Sequence, residues 1–487
     1  KSVIFITDGE PNLGEGVHGY STSVAAAANL LAAGITVYVI GFDMPPGTFP
    51  MANEIAEAGG SDSAYSAGSQ AELTAALGQI LVSIQGNQAS SVDTVVTNRT
   101  LRSKDKQYQF NASYSGTMYT PLDQTGHLDQ YVYRCDQSCE AEDADGGASL
   151  CEVFSISNAL TERVEDRVIE TQLDGDKVDF SSLNSDLTAD MLGVPTSGKL
   201  PQLDPYKLPS GESVYSGINL GDAADPTVRL EYREQLFKLV RGDVGSRREN
   251  VPLGAISGSQ PVVQTNLYSI TAPIPSFIQY RNKEEVRKRP TVLFAGTHDG
   301  QMHAFRVDRI ATLTEGDYGK ELWSFIPKHL LDKLNKLASG TVYLMDGEPV
   351  TEDVRLYKES LDLGVEEEAD RWRSVLISGY GQGGRGYFSL NVTDPEEYEF
   401  MWEISNTERC YDIPDAASGC VPSTDFARLG NPLSRPAIGS LFFDYEAVKQ
   451  ERSVAIFGGG GGITGEDESG KSVYIVDLQS GQLIREF

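Results

Sequence analysis

The sequence predicts a multidomain protein with an α/β part, a β-rich middle domain and a β-propeller part. Three observations predict it. Residues 1–86 alternate strand-like and helix-like segments, residues 87–250 lose that alternation, and residues 251–487 repeat one strand pattern three times. A chain of 487 residues exceeds what one hydrophobic core organises, so about three domains are expected. Its 49 Gly and 22 Pro point to a turn-rich fold.

In the first part, residues 3–7 form an apolar, β-branched run read as a buried strand, closed by Asp8-Gly9. Residues 21–33 are rich in Ala and Leu and read as a helix stopped by Gly34. Residues 35–42 read as a second buried strand, 53–58 as a short helix ended by Gly59-Gly60, and 70–84 as a further helix. This alternation implies a parallel sheet with helices on its faces, where ligands bind beyond the carboxyl ends of the strands. Asp8 stands at such an end. A carboxylate followed by Gly can reach a divalent cation directly or through water, which makes Asp8 the candidate metal ligand.

In the middle part, β-like runs at 108–114, 130–133 and 164–172 lie between polar turns, and 136–152 reads as an acidic, exposed loop. Residues 226–240 read as a helix and connector, with Leu230, Leu236, Leu239 and Val240 as packing residues. Arg241-Gly242-Asp243 follows. On an exposed loop this tripeptide binds integrins; as an Arg–Asp contact ahead of the next domain it is structural, and the structural reading is preferred.

In the last part, 292–296, 375–379 and 454–458 are three copies of one strand, spaced 83 and then 79 residues apart. Pro261, Pro349 and Pro436 open a β run ahead of each copy, and third strands follow at 301–307, 386–392 and 472–478. A fourth strand carries an aromatic residue taken as in register: Trp323, Trp402 and Phe487. Four strands per unit, repeated, is the pattern of propeller blades. A closed propeller has about four to eight blades, so three imply that further blades lie beyond this chain. The chain opens directly on a strand, so the parent protein is expected to extend beyond both ends.

The formal net charge is −30. Nucleic-acid affinity comes from Lys and Arg neutralising phosphates, so nucleic-acid binding is not expected. No apolar run is long enough to span a membrane. Cys410 and Cys420 bracket one short loop; Cys135, Cys139 and Cys151 flank another, acidic one. Such placement suggests disulfides in an oxidising compartment: Cys410 with Cys420, and Cys151 with Cys135 or Cys139. A zinc site is disfavoured, because no His lies near the Cys410–Cys420 pair in sequence.

Several motifs point to chemistry on paper only. Asp143-Ala-Asp145-Gly146 lacks the first ligand of a calcium loop, and Asp174-Gly-Asp176-Lys-Val-Asp179 has Val178 where an oxygen belongs. Gly465–Ser472 has P-loop spacing, but it carries three carboxylates and precedes a strand rather than a helix. The five His show no metal-ligand spacing, and no Gly-x-Ser-x-Gly occurs.

The stretches VIFITDGEPN, ITVYVIGF and NEIAEAGG with its tail make residues 1–86 resemble the C-terminal half of a von Willebrand factor A domain, a Rossmann-type fold. The resemblance implies an adhesion site binding Mg²⁺ or Ca²⁺. Only its third-loop Asp has a match here, at Asp8. The stretches VRGDVGSRRENVPLGAISGSQPVV, VLFAGTHDGQMHAF, VYLMDGEPV, WRSVLISGYGQGGRGYFSLNVTDP and LGNPLSRPAIGSL resemble the C-terminal propeller of PilY adhesins, over roughly half of the chain. That family resemblance implies an exported type IV pilus tip adhesin, acting in pilus assembly, surface attachment and twitching. It implies minor pilins, the major pilin and a host or abiotic surface as partners. It also implies a calcium loop in blades beyond this chain. The rival reading is a quinone-dependent dehydrogenase, whose blades end in strands like Gly319-Lys-Glu-Leu-Trp323. The adjacent Cys pair often found in such enzymes is absent here.

Overall fold

A computed structural model describes residues 2–7, 17–33, 35–44, 49–61, 63–68, 88–89, 95–96, 108–115, 125–134, 149–162, 167–198, 200, 206–207, 213–214, 223–243, 246, 248–249, 251–264, 274–307, 319–338, 342–357, 365–413, 417–445, 448–461 and 469–487. The chain divides into two compact units, Lys1–Ala89 and Ser90–Phe487.

In the first unit, strands Ser2–Thr7, Thr36–Phe42 and Tyr65–Ala67 form a parallel sheet in that order. Helices Val17–Ala32 and Phe49–Ala58 pack on it through Ala27, Ala52, Ile55 and Ala56, against Val37 and Val39. Small residues on the helices allow this close approach. Gly60 ends the second helix at φ +84, where a Cβ would meet Leu31 at 2.5 Å. The first strand departs from its expected burial. Among the described residues it lies at the edge of the sheet, and Val3, Phe5 and Ile6 are exposed. The helix expected at 70–84 lies outside the described residues.

In the second unit, Tyr108–Ser115, Thr125–Arg134 and Ser149–Ser155 form an antiparallel meander. The strand expected at 164–172 is the hairpin Ile169–Leu173/Asp176–Asp179. Asp174 and Gly175 both have positive φ, 52° and 92°, as a tight two-residue hairpin turn requires. This hairpin does not join the meander. Ile169–Leu173 pairs in parallel with Glu321–Phe325 and extends the first repeat's sheet. Helix Pro226–Arg241 starts with the Asp225 carboxylate accepting from Thr227 N at 2.8 Å. It buries Tyr232, Leu236, Phe237, Leu239 and Val240 in the core shared with that sheet, whereas Leu230, expected to pack, faces solvent.

Each copy of the repeated strand is the second of a four-strand antiparallel run. The runs are Val262–Gln264, Val292–Gly296, Met302–Arg306 and Glu321–Phe325; then Val350–Arg355, Trp372–Gly379, Gly386–Asn391 and Glu399–Ser405; then Ala437–Tyr445, Val448–Gly458, Val473–Asp477 and Leu483–Glu486. A hairpin, Glu408–Ile413 and Ala417–Pro422, adds two strands to the second run. The third and fourth strands shift register once per repeat, after Ala304, Ser389 and Ile475. The last residue before the shift faces Trp323, Trp402 and Arg485 respectively. Arg485, not Phe487, therefore holds the tryptophan position, which corrects the alignment drawn from sequence. Aromatic content alone had suggested Phe487, two residues beyond.

The tryptophans join successive sheets. Trp323 donates from Nε1 to Pro395 O at 2.9 Å, and Trp402 does the same to Leu478 O at 2.8 Å. Both acceptors follow the third strand of the next repeat. Gly481, at φ +67, lies against the Trp402 ring, where a Cβ would sit 2.8 Å from Cγ. No closed propeller is formed by the described residues. The protein is β-rich and multidomain.

Candidate functional site

Asp8, Cys135 and Cys139 lie outside the described residues. Cys151 lies in a strand, opposite Val132. Cys410 and Cys420 face each other across the added hairpin and are joined by a disulfide. The paper P-loop leads into strand Val473–Asp477, so its Lys471 does not open a helix. Among the described residues no helix is long and apolar enough to cross a membrane.

Arg241-Gly242-Asp243 is the end of a helix. Gly242 caps it in the left-handed region at φ 75 and donates its N–H to Lys238 O. Asp243 N also donates to Lys238 O, at 3.0 Å. The Arg241 guanidinium donates to Arg167 O at 3.0 Å and Phe180 O at 3.3 Å, and lies 3.4 Å from the Asp243 carboxylate. The tripeptide thus fastens the helix to the first sheet.

Beside it lies a buried polar cluster. Arg167 donates to Glu321 through Nε at 2.7 Å and NH2 at 3.0 Å, to Gln301 Oε1 at 2.8 Å, and to Arg241 O at 2.7 Å. His303 Nδ1 is 2.6 Å from Glu321 Oε1, and its Nε2 is 3.1 Å from Thr297 Oγ1. Gln301 Nε2 and Arg248 donate to Asp299 Oδ2. Burial alone would raise the Glu321 carboxyl; Arg167 and His303 outweigh it and hold it at about 2. Such mutually paired charges fix geometry rather than stand ready for chemistry. His298 Nε2 lies 2.6 Å from Ser257 Oγ, a nucleophile–base distance. Burial pulls this imidazole down to about 4, however, so it is neutral and a weak base near pH 7.

A second cluster sits where the first two sheets meet. The fully buried Glu403 carboxylate takes five hydrogen bonds. Oε1 accepts from His329 N at 2.9 Å, His329 Nδ1 at 2.7 Å and Tyr380 OH at 2.6 Å. Oε2 accepts from Lys328 N and Gln172 Nε2, both at 3.0 Å. Burial opposes this charge, but His329 and the hydrogen bonds outweigh it, and the carboxyl falls to about 2. Burial likewise opposes charge on His329, and Glu403 and Glu408 raise it to about 9. Lys328 Nζ reaches Glu408 Oε2 at 2.8 Å and Cys420 Sγ at 3.3 Å. Sequence reasoning missed this cluster, because its members are scattered from Gln172 to Cys420.

The third sheet carries exposed apolar side chains. Its first two strands run past the others: Val454–Gly458 pair with the third strand, while 448–453 pair with 440–445. Under this extension lies a groove of about 540 Å³ lined by Leu441, Phe443, Ile475, Leu483 and Phe487. Phe442 is 71% exposed and Phe487 64%. Arg485 also lines this groove, at the position from which Trp323 and Trp402 reach the following sheet.

No family model matches the chain. A type IV pilus biogenesis factor PilY1 homolog of Xylella fastidiosa is 30% identical over 221 residues, covering 42% of this chain and 15% of its own. PilY1 of Pseudomonas aeruginosa strain UCBPP-PA14 is 29% identical over 251 residues, covering 50% and 18%. The matched region thus spans less than a fifth of those relatives. The solved C-terminal domain of Pseudomonas aeruginosa PilY1 aligns over 47% of this chain and 36% of its own, at 22% identity and a TM-score of 0.29.

Proposed function

From the premise that this chain is a PilY1-type protein, we propose that it serves in type IV pilus biogenesis by binding rather than catalysis. The relation in sequence to proteins named as pilus biogenesis factors carries the reading. In this reading the protein is an exported, surface-exposed adhesin at the pilus tip, and it supports surface attachment and twitching. Its partners are minor and major pilins and a host or abiotic surface.

The three four-strand runs are read as consecutive propeller blades. The recurring register shift and the two tryptophan hydrogen bonds support this. The first unit is read as a von Willebrand factor A-like module, presented outward. The strands of its parallel sheet end at one edge, where Asp8 would help to hold Mg²⁺ or Ca²⁺. A pilin strand would add to the edge strand Ala437–Tyr445 by main-chain pairing.

Deletion of the parent gene tests the role. Loss of surface pili, restored by the intact gene and not by one lacking the segment encoding residues 251–487, is expected. Normal pilus number in the deletion strain would refute it.

A further inference from the structure

We infer that the Cys410–Cys420 disulfide is a redox switch, whose reduced form is a Cys420 thiolate beside a Cys410 thiol. The two residues stand directly opposite each other on the added hairpin, yet their surroundings differ. Cys420 Sγ lies 3.3 Å from the Lys328 ammonium, and Cys410 Sγ lies 3.9 Å from it. Cys410 Sγ lies 3.5 Å from Glu408 Oε2, where a thiol finds an acceptor for its proton. A cation beside one sulfur and an acceptor beside the other suit a thiolate at Cys420 and a thiol at Cys410.

The neighbouring charges agree with this division. Glu408 has an oxygen within 4.8 Å of both sulfurs and opposes a second negative charge there. That carboxylate is met by Lys328 Nζ at 2.8 Å and by His329 Nε2 at 3.3 Å. Burial opposes charge on His329, but Glu403 and Glu408 raise it to about 9, so it is a cation near pH 7. With the disulfide closed, Lys328 and His329 balance Glu403 and Glu408. Reduction adds one negative charge, and Lys328 faces it. Stabilising the thiolate stabilises the reduced pair, which makes the disulfide a better electron acceptor.

Reduction requires a dithiol. Its first sulfur, as thiolate, meets Cys420, because Cys420 is partly exposed and Cys410 is buried. A mixed disulfide forms at Cys420, and Cys410 departs and takes one proton. The second sulfur of the dithiol closes its own disulfide and displaces Cys420, which leaves as the thiolate beside Lys328. Two electrons have passed to the cysteine pair. Of the two dithiol protons, one is on Cys410 and one is in solvent. The switch sits where the first two sheets meet. A Cβ at Gly175, in the turn of the first sheet's hairpin, would lie 2.5 Å from Tyr411 O and 2.8 Å from Gly419 N. Gln172 of the same hairpin places Oε1 4.0 Å from Cys420 Sγ and donates from Nε2 to Glu403 at 3.0 Å. The cross-linked hairpin is thus a clasp on the first sheet's hairpin, and opening the disulfide loosens it.

The test equilibrates the full chain with reduced and oxidised dithiothreitol at graded ratios. Differential alkylation and mass spectrometry then read Cys410 and Cys420 separately from the other three cysteines. Lys328→Met keeps the stem and removes the charge. The wild type should be half-reduced at a ratio of reduced to oxidised reagent at least about tenfold lower than Lys328→Met, a shift of about 30 mV. In the reduced wild type, the pH profile of Cys420 alkylation should give a pKa below the ordinary thiol value of about 8.5, with Cys410 at or above it. Hydrogen exchange at residues 169–179 should quicken on reduction. Equal half-reduction ratios in the two chains would overturn the switch. So would an ordinary thiol profile at Cys420 in the wild type, a result that needs no variant to fold. Unchanged exchange at 169–179 would overturn the clasp.

Discussion

Replacing Glu403 with Gln keeps its shape and removes its charge, which isolates what the buried carboxylate contributes. Glu403 receives three donors on Oε1 and two on Oε2. An amide has one acceptor oxygen and one donor nitrogen. Whichever way it turns, its NH₂ faces at least two of these donors. With the better orientation, the Lys328 N–H and Gln172 Nε2 bonds are lost. At about 1.5–3 kcal/mol for each hydrogen bond to a charged group, the loss is about 3–6 kcal/mol. A second route gives the same order. A buried carboxyl held at about 2 instead of 4.5 favours the folded state by about 3 kcal/mol near neutral pH. The folded value lies below the unfolded one, so this stability is complete above 4.5 and is lost as pH falls through about 2. Urea unfolding at pH 7 should show a lower midpoint for Glu403→Gln with an unchanged slope. The gap between variant and wild type should narrow as pH is lowered toward 2. His329 works in the opposite direction. Raised from 6.5 to about 9, it stabilises fully below 6.5 and loses its contribution as pH rises through 9. A destabilisation below about 0.5 kcal/mol at pH 7, the level of an ordinary surface change, would refute the reasoning. A gap that does not depend on pH would also refute it.

Three further outcomes are expected. Trp402→Ala should cost about 3–5 kcal/mol in urea unfolding, and Trp402→Phe about 1–3 kcal/mol, because Leu478 O then lacks its donor; equal stability of the Phe variant would remove the tryptophan from its joining role. Gly242→Ala should cost about 1–3 kcal/mol, since φ is +75 and the new Cβ would lie 2.6 Å from Pro252 Cβ, whereas Asp243→Glu should leave cell adhesion unchanged; an adhesion loss with Asp243→Glu in a normally folded chain would restore the integrin reading. Phe442→Asp should leave the melting temperature within a degree or two, since the ring is 71% exposed, and should weaken retention of pilin in co-purification.

Periodicity made the strands and helices legible, and it placed the repeated strand in the same position of each sheet. It did so because buried strands such as Val292–Gly296 carry continuous apolar runs that solvent-facing segments lack. What it could not show was partnership between distant segments. Ile169–Leu173 reads as a strand of the middle part, yet it pairs with Glu321–Phe325, and only tertiary packing decides such a choice. The fourth-strand register was misjudged for a similar reason. A register shift after Ile475 is invisible in composition, and it puts Arg485 where Trp323 and Trp402 stand. The structural reading of the RGD tripeptide rested on an Arg–Asp contact, which the structure has at 3.4 Å, whereas the helix cap at Gly242 was not read from the sequence. The Glu403 cluster was not legible, because its parts come from Gln172, Lys328, His329 and Tyr380 as well.

The central claim is that a PilY1-type chain works by holding pilus subunits. Its most direct test is binding of the purified full chain to immobilised minor and major pilins, with Phe442→Asp as the control. Saturable binding to at least one pilin, weakened by Phe442→Asp, is the result expected. No binding to any pilin, together with quinone-dependent reduction of a dye by an alcohol substrate, would contradict it and put the dehydrogenase reading in its place.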